Sequence, residues 1–273
     1  MQTTLHQTDF GPVELTDVGV GSTMIVLLHA TASGPRSLAA LAKLLSASGR
    51  RVWLPALAGY GKTDPAADLD PVAAHTRIAL WTLNAAQADA TIDRVLLMGH
   101  SMGGLVAAKA AAGRDDLAAL ILYEPIVLAT LARDDPALAR DAVLVDALDA
   151  GVASGRPGPA VATFVEAWNE VTWSTLPKEA RTALVADAAR LARETRSVHQ
   201  DATSDADWAA VTARTTVVHG LRSPLLAKTM AQNLVRCLPE ATLVSLPGLG
   251  HMAPVLTSER IAALIERANA RAP

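Results

Sequence analysis

The sequence predicts an α/β protein, a mostly parallel central sheet flanked by helices, with a helical segment inserted before the last strands. Three observations carry that prediction. Short runs rich in Val, Ile and Leu alternate with longer stretches of helical periodicity. The runs are continuously apolar and lack the alternation of a strand with one wet face. Between about residues 127 and 210 the alternation lapses, and helical periods follow one another with no strand between them.

In chain order, the first twenty residues read as an antiparallel hairpin turning at Phe10-Gly11-Pro12. Strands buried on both faces are expected over 24–29, 51–54, 94–98, 117–123, 215–219 and 242–246. Helices are expected over 35–47, 71–88, 102–112, 224–238 and 258–270. Several open on a proline, whose fixed φ and missing N–H suit a first turn. Within the insertion, helical stretches over 136–150, 159–173 and 177–199 are punctuated by Gly155-Arg156-Pro157-Gly158-Pro159 and by Leu176-Pro177. These segments are amphipathic, so they are expected to pack as a cap on the core. The division is a core of 1–126 and 211–273 and a helical cap of 127–210.

Composition narrows the partners. At 273 residues and 51% apolar content, the chain can bury one large core. The net charge of −3 is spread over both signs, with no basic run to track a phosphate backbone, so nucleic acid is not an expected partner and a small molecule is. Cys237 is the only cysteine, so no intramolecular disulfide, CxxC pair or cysteine-rich zinc cluster can form. The first residues have no basic start and apolar stretch, and no segment approaches the ~18 apolar residues of a membrane span. A cytoplasmic protein without membrane contact, metal or cofactor is expected; the oligomeric state is left open.

The chemistry starts at Gly99-His100-Ser101-Met102-Gly103, which follows an expected strand and opens an expected helix. A serine at so sharp a turn needs glycines two residues to either side, because a Cβ there would clash. The turn lifts the Ser101 hydroxyl above the carboxyl edge of the sheet, and the following helix aims its free N–H groups at an adjacent anion. Ser101 is the candidate nucleophile and the Met102 N–H a candidate oxyanion donor. The plainer alternative is that Ser101 only caps the helix.

Other segments match a known pattern. Leu27-Leu28-His29-Ala30-Thr31 sits as a strand-His-Gly-x segment does, Leu54-Pro55-Ala56-Leu57-Ala58-Gly59-Tyr60-Gly61-Lys62-Thr63 as a Pro-Asp-x-x-Gly-x-Gly-x-Ser loop, and Leu249-Gly250-His251-Met252 as a terminal Gly-His. With the serine turn, the chain resembles the α/β-hydrolase family over nearly its whole length. Ala30 replaces the usual glycine and Ala56 the usual aspartate. The resemblance implies that the N–H of Thr31 supplies the second oxyanion donor. It also implies a serine hydrolase, since the dehalogenase and epoxide-hydrolase branches need aspartate at the turn.

A serine hydroxyl needs a base, and histidine titrates near the working pH. Of seven histidines, His251 lies in a glycine-flanked loop after the last strand, downstream of the serine as this fold requires. His29 is expected to support the oxyanion loop, His100 to point away from the chemistry and His219 to sit in the core; His6, His75 and His199 carry no motif. The acid is displaced. Most of the family has Gly-x-x-Asp after the penultimate strand, and here the stretch reads Gly220-Leu221-Arg222-Ser223. Glu124, at the carboxyl end of the strand after the nucleophile helix, is the expected acid, since some members draw theirs from that strand end. Asp205 and Asp207 are the alternatives, and Glu124 would otherwise only start the cap.

Phe164, Trp168 and Trp173 recur within one amphipathic stretch, and with Met252 they are expected to line the substrate pocket, although packing cap onto core would also explain the aromatics. The expected activity is hydrolysis of a neutral, fairly hydrophobic ester, lactone or thioester through an acyl-Ser101 intermediate. Carbon–carbon bond hydrolysis, amide hydrolysis, perhydrolysis and lyase chemistry use the same fold. A receptor that keeps the pocket without catalysis is the alternative of another class.

Overall fold

The computed structural model describes residues 1–169 and 171–271, so Ala272 and Pro273 of the expected core segment lie outside the described residues. Its strands are β1 (Gln2–Thr8), β2 (Gly11–Val18), β3 (Thr23–Leu28), β4 (Arg51–Pro55), β5 (Arg94–His100), β6 (Ala119–Tyr123), β7 (Thr215–Gly220) and β8 (Ala241–Leu246). They form one sheet in the order β1-β2-β4-β3-β5-β6-β7-β8. β1 and β2 pair antiparallel, as does β2 with β4, and every pair from β4 to β8 is parallel. The hairpin turns between Thr8 and Gly11, where Gly11 takes φ 107°.

The helices are α1 (Ala39–Ala47), α2 (Pro71–Ala88), α3 (Met102–Ala111), α4 (Pro136–Ala153), α5 (Gly158–Asn169), α6 (Lys178–Ala186), α7 (Ala188–Gln200), α8 (Asp205–Ala209), α9 (Leu225–Cys237), α10 (Ala253–Leu256) and α11 (Ser258–Arg271). Both sheet faces are covered, which is why the strands are continuously apolar. Met24, Val26 and Leu28 of β3 pack with residues of α2, α3 and α9. Ile25 and Leu27, pointing the other way, pack with Leu41 and Leu45 of α1 and Ile261 and Ile265 of α11. β8 departs from the two-faced burial expected of it: as the outermost strand it pairs with β7 alone, and Leu243 stays 38% exposed.

α4 to α8 lie between β6 and β7 with no strand among their described residues. The stretch expected as one helix over 177–199 is two, α6 and α7, broken at Asp187. The aromatic stretch also divides: α5 ends at Asn169, and Trp173–Thr175 form a separate 3-10 turn. Leu148, Val161, Val165 and Leu191 join these helices in a cluster of their own. α7 is tied to the core at the start of α2, where the Ser197 hydroxyl donates to Asp70 Oδ2 (2.6 Å) and accepts from the Val72 N–H (3.1 Å). No helix among the described residues is long and apolar enough to cross a membrane.

The strand order reverses at β3, with β4 on one side and β5 on the other. Loops leaving the carboxyl ends of β3 and β5 therefore diverge and leave a crevice, the position where ligands bind in open parallel sheets. Ser101 and Thr31 both stand there.

Candidate active site

Ser101 joins β5 to α3 with φ 58° and ψ −122°, a left-handed conformation that a residue with a Cβ rarely adopts. Close approach of the flanking backbone makes the turn possible. A Cβ on Gly99 would lie 2.1 Å from the Gly103 carbonyl oxygen, and one on Gly103 would lie 2.5 Å from the carbonyl oxygens of both Leu28 and His29 in β3 and its exit loop. Ser101 makes no side-chain cap bond to α3. Its Oγ lies 3.1 Å from His251 Nε2 instead.

His251 Nδ1 lies 2.7 Å from Glu124 Oε2. A carboxylate in that position accepts, so the ring proton is assigned to Nδ1, and Nε2 presents a lone pair to Ser101. Glu124 is fully buried, and its φ of 45° makes it a second left-handed non-glycine residue in the site. Its other oxygen accepts the Gly220 N–H (2.7 Å) and the Ser223 hydroxyl. A buried carboxylate is costly unless each oxygen is satisfied, and here both are. Ser223, standing where the family pattern places the acid, thus acts as a donor to Glu124. Asp205 and Asp207 do not join this chain of contacts: Asp207 closes a capping box with Ser204, and Asp205 lies beside the Cys237 thiol.

The backbone of His251 is held as well. His100 Nε2 donates to the His251 carbonyl (2.9 Å), and the Tyr123 hydroxyl donates to the Gly250 carbonyl (2.8 Å). His100 therefore faces the His251 loop and not away from the chemistry. Burial pushes its pKa well below the ordinary value, so the ring stays neutral. His219 bonds Ser245 (2.9 Å) at the end of β7 and takes no part in the site.

Met102 begins α3, so its N–H has no acceptor within the helix. Thr31 leaves β3 beside it, and among the described residues neither N–H has a hydrogen-bond acceptor. His29 braces this loop from beneath: Nε2 accepts the Leu57 N–H (3.2 Å), which leaves the proton on Nδ1, 2.9 Å from the Ala30 carbonyl. Its burial lowers the pKa to about 4. From above, the Thr31 hydroxyl donates to Glu194 of α7, a residue no motif singled out.

A cavity of about 400 Å³ opens over Ser101 and His251. Phe164, Trp168 and Met252 line it together with Leu184 and Leu191. Trp173, expected there, does not: in the 3-10 turn Trp173–Thr175 it packs against the Leu148, Val161 and Val165 cluster, while Val171 and Leu176 on either side of it line the cavity. The Trp168 ring sits 5.3 Å from the His251 ring, centre to centre, and its N–H donates to Asp141 (3.1 Å), which pairs with His199 (2.7 Å). Asp141, Asp187 and Glu194 are on the wall, whereas none of the described residues lining it is a lysine or arginine.

The sequence from residue 25 to 264 matches the family model described as the alpha/beta hydrolase family. No curated protein matches the sequence. Among solved structures, an alpha/beta hydrolase from Sphaerobacter thermophilus is 23% identical with a TM-score of 0.69, the alignment covering 96% of this chain and 100% of that one. An esterase from Exiguobacterium antarcticum superposes with a TM-score of 0.76 at 18% identity over 98% of this chain and 99% of its own. A thermophilic esterase from Thermogutta terrifontis gives 0.70 at 21% identity over 98% and 97%. On the family match and the shared architecture, the chain belongs to the alpha/beta hydrolase family.

Proposed function

We propose that this protein hydrolyses carboxylic esters, lactones or thioesters of uncharged, fairly hydrophobic small molecules through an acyl-Ser101 intermediate. The observation that carries this reading is the continuous chain Ser101 Oγ, His251 Nε2, His251 Nδ1, Glu124 Oε2, with steps of 3.1 and 2.7 Å across the ring. His251 takes the Ser101 proton as Oγ bonds to the substrate carbonyl carbon, and the carbonyl electron pair moves onto oxygen. The Thr31 and Met102 N–H groups stabilise that oxyanion. Collapse of the adduct expels the alkoxide or thiolate, which takes the proton from His251. Water, deprotonated by the same ring, then attacks the acyl carbon and restores the Ser101 hydroxyl.

The apolar wall over Ser101, with Phe164, Trp168 and Met252, favours a hydrophobic acyl or alcohol portion. Two of the structural neighbours are esterases, which agrees with an ester substrate. Against a receptor without catalysis stands Glu124, which supplies the charge that Ser223 lacks. The helical segment between β6 and β7 is read as the cap that selects the substrate.

A fluorophosphonate probe tests this reading. Labelling at Ser101 that is abolished by Ser101→Ala, together with turnover of nitrophenyl esters in a panel that includes an amide and a carbon–carbon substrate, is the expected result. Folded protein that resists the probe and hydrolyses no ester in the panel would overturn it.

A further inference from the structure

We propose that Glu194, on α7 of the inserted helices, is a positioning residue that holds the oxyanion loop in its working shape. The inference rests on the acyl-transfer reading above, in which the Thr31 N–H binds the oxyanion.

The loop after β3 needs support. Ala32, the residue after Thr31, adopts φ 57°, a left-handed conformation unfavourable for a residue with a Cβ, so the turn that carries the Thr31 N–H persists only where its surroundings hold it. Two groups hold it from above. The Ala32 N–H donates to the Tyr60 hydroxyl (2.8 Å), and that hydroxyl donates to Glu194 Oε2 (2.8 Å). The Thr31 hydroxyl donates to the same oxygen. One carboxylate oxygen on α7 thus fixes two consecutive residues of the loop, one directly and one through a phenol. Charge-assisted hydrogen bonds of this kind are stronger than neutral ones.

The residues around Glu194 keep it charged. Its side chain is 2% exposed; burial alone would raise its pKa, but His75, Thr31 and Tyr60 outweigh that and hold it below the ordinary carboxylate value. His75 Nδ1 accepts the Ala58 N–H (3.1 Å), so in the neutral ring the proton is on Nε2, 3.4 Å from Glu194 Oε1. That contact is electrostatic and not a hydrogen bond, whereas Oε2 accepts from two hydroxyls. Glutamine would fit the space but carries no charge, so whichever way the amide turns, the charge-assisted bonds from the Thr31 and Tyr60 hydroxyls are lost. Because Ser197, one turn further along α7, is bonded to Asp70 at the start of α2, Glu194 is anchored to the core and transmits that fixed position to the loop.

Glu194→Gln tests the assignment, with Thr31→Val, which removes the hydroxyl and keeps the N–H, as the second variant should the first not fold. Removing an oxyanion donor outright lowers kcat by about 10² to 10³, so displacing one is expected to cost about 10- to 100-fold. The expected result is that loss in kcat for nitrophenyl ester hydrolysis with KM within about twofold. A trifluoromethyl ketone, which forms an oxyanion on Ser101, weakens by the same factor, while the unreactive methyl ketone of the same shape binds as before. Combined, the two substitutions cost no more than Glu194→Gln alone. Unchanged kcat in the folded variants, or equal weakening of both ketones, overturns the role of Glu194. An unmodified protein with no ester turnover and no trifluoromethyl ketone adduct overturns the acyl-transfer reading itself.

Discussion

Glu124 Oε2 sits 2.7 Å from His251 Nδ1, although 127 residues separate the two in the chain. Both ends of the contact are held: Glu124 by Gly220 and Ser223, His251 by the bond from His100 to its carbonyl. In the proposed mechanism this carboxylate fixes the ring tautomer and stabilises the imidazolium. Glu124→Gln keeps the shape but favours the wrong tautomer, and kcat is expected to fall by about 10⁴ with little change in KM. Steady-state kinetics on a nitrophenyl ester check this, and activity within tenfold of the unmodified enzyme would move the acid elsewhere.

Ser223 offers a complementary change. Ser223→Ala removes one donor from a buried carboxylate that keeps its Gly220 N–H, so a stability loss of about 1 kcal/mol and less than a tenfold drop in kcat are expected. Because Ser223 already touches Glu124, an aspartate placed there can approach His251 once Glu124 is gone. Glu124→Ala with Ser223→Asp is expected to turn over at least tenfold faster than Glu124→Ala alone. No recovery would show that position 223 cannot serve the ring.

Acid should destabilise the fold through His29. Its pKa in the folded protein, about 4, lies below the ordinary 6.5, so as pH falls the unfolded chain takes up a proton that the folded one refuses. Stability is full above about pH 6.5 and declines toward pH 4, by roughly 3 kcal/mol from this residue. The neutral, buried His100 acts in the same direction. Urea unfolding at pH 7.5, 6 and 5 should show the decline, and His29→Asn should flatten it. An unchanged slope in that variant would assign the acid sensitivity to other groups.

The cavity wall predicts substrate charge. Asp141, Asp187 and Glu194 face it with no lysine or arginine among the described lining residues, although Asp187 is partly neutralised by Arg190 at 2.5 Å. A nitrophenyl hemisuccinate should therefore be hydrolysed at least tenfold less efficiently, by kcat/KM, than the butyrate of similar length. Comparable efficiencies would mean that the acyl group lies away from these carboxylates.

Most of the architecture was legible in the sequence for one physical reason. Strands covered on both faces must be apolar throughout, so β3 to β7 stand out as uninterrupted runs. β8 has the same composition but not the same burial, because edge position is a property of strand order and not of the strand itself. Ser101 was visible because its turn demands glycines at fixed offsets, and His251 because it follows the last strand. Glu194, His100 and Tyr60 carry no such local demand. The Thr31 to Glu194 bond spans 163 residues and depends on where α7 docks, which periodicity does not encode. The Trp173 expectation failed for a similar reason, since the break after α5 turns a helical stripe into two separate faces.

The central claim is that the acyl group is carried on Ser101. Rapid mixing with a nitrophenyl ester, quenching in acid and peptide mapping by mass spectrometry test it directly. The predicted result is a burst of nitrophenol approaching one per enzyme, with the acyl mass on the peptide holding Ser101 and none in Ser101→Ala. Steady ester turnover that persists in Ser101→Ala, or an acyl mass on another residue, would contradict it.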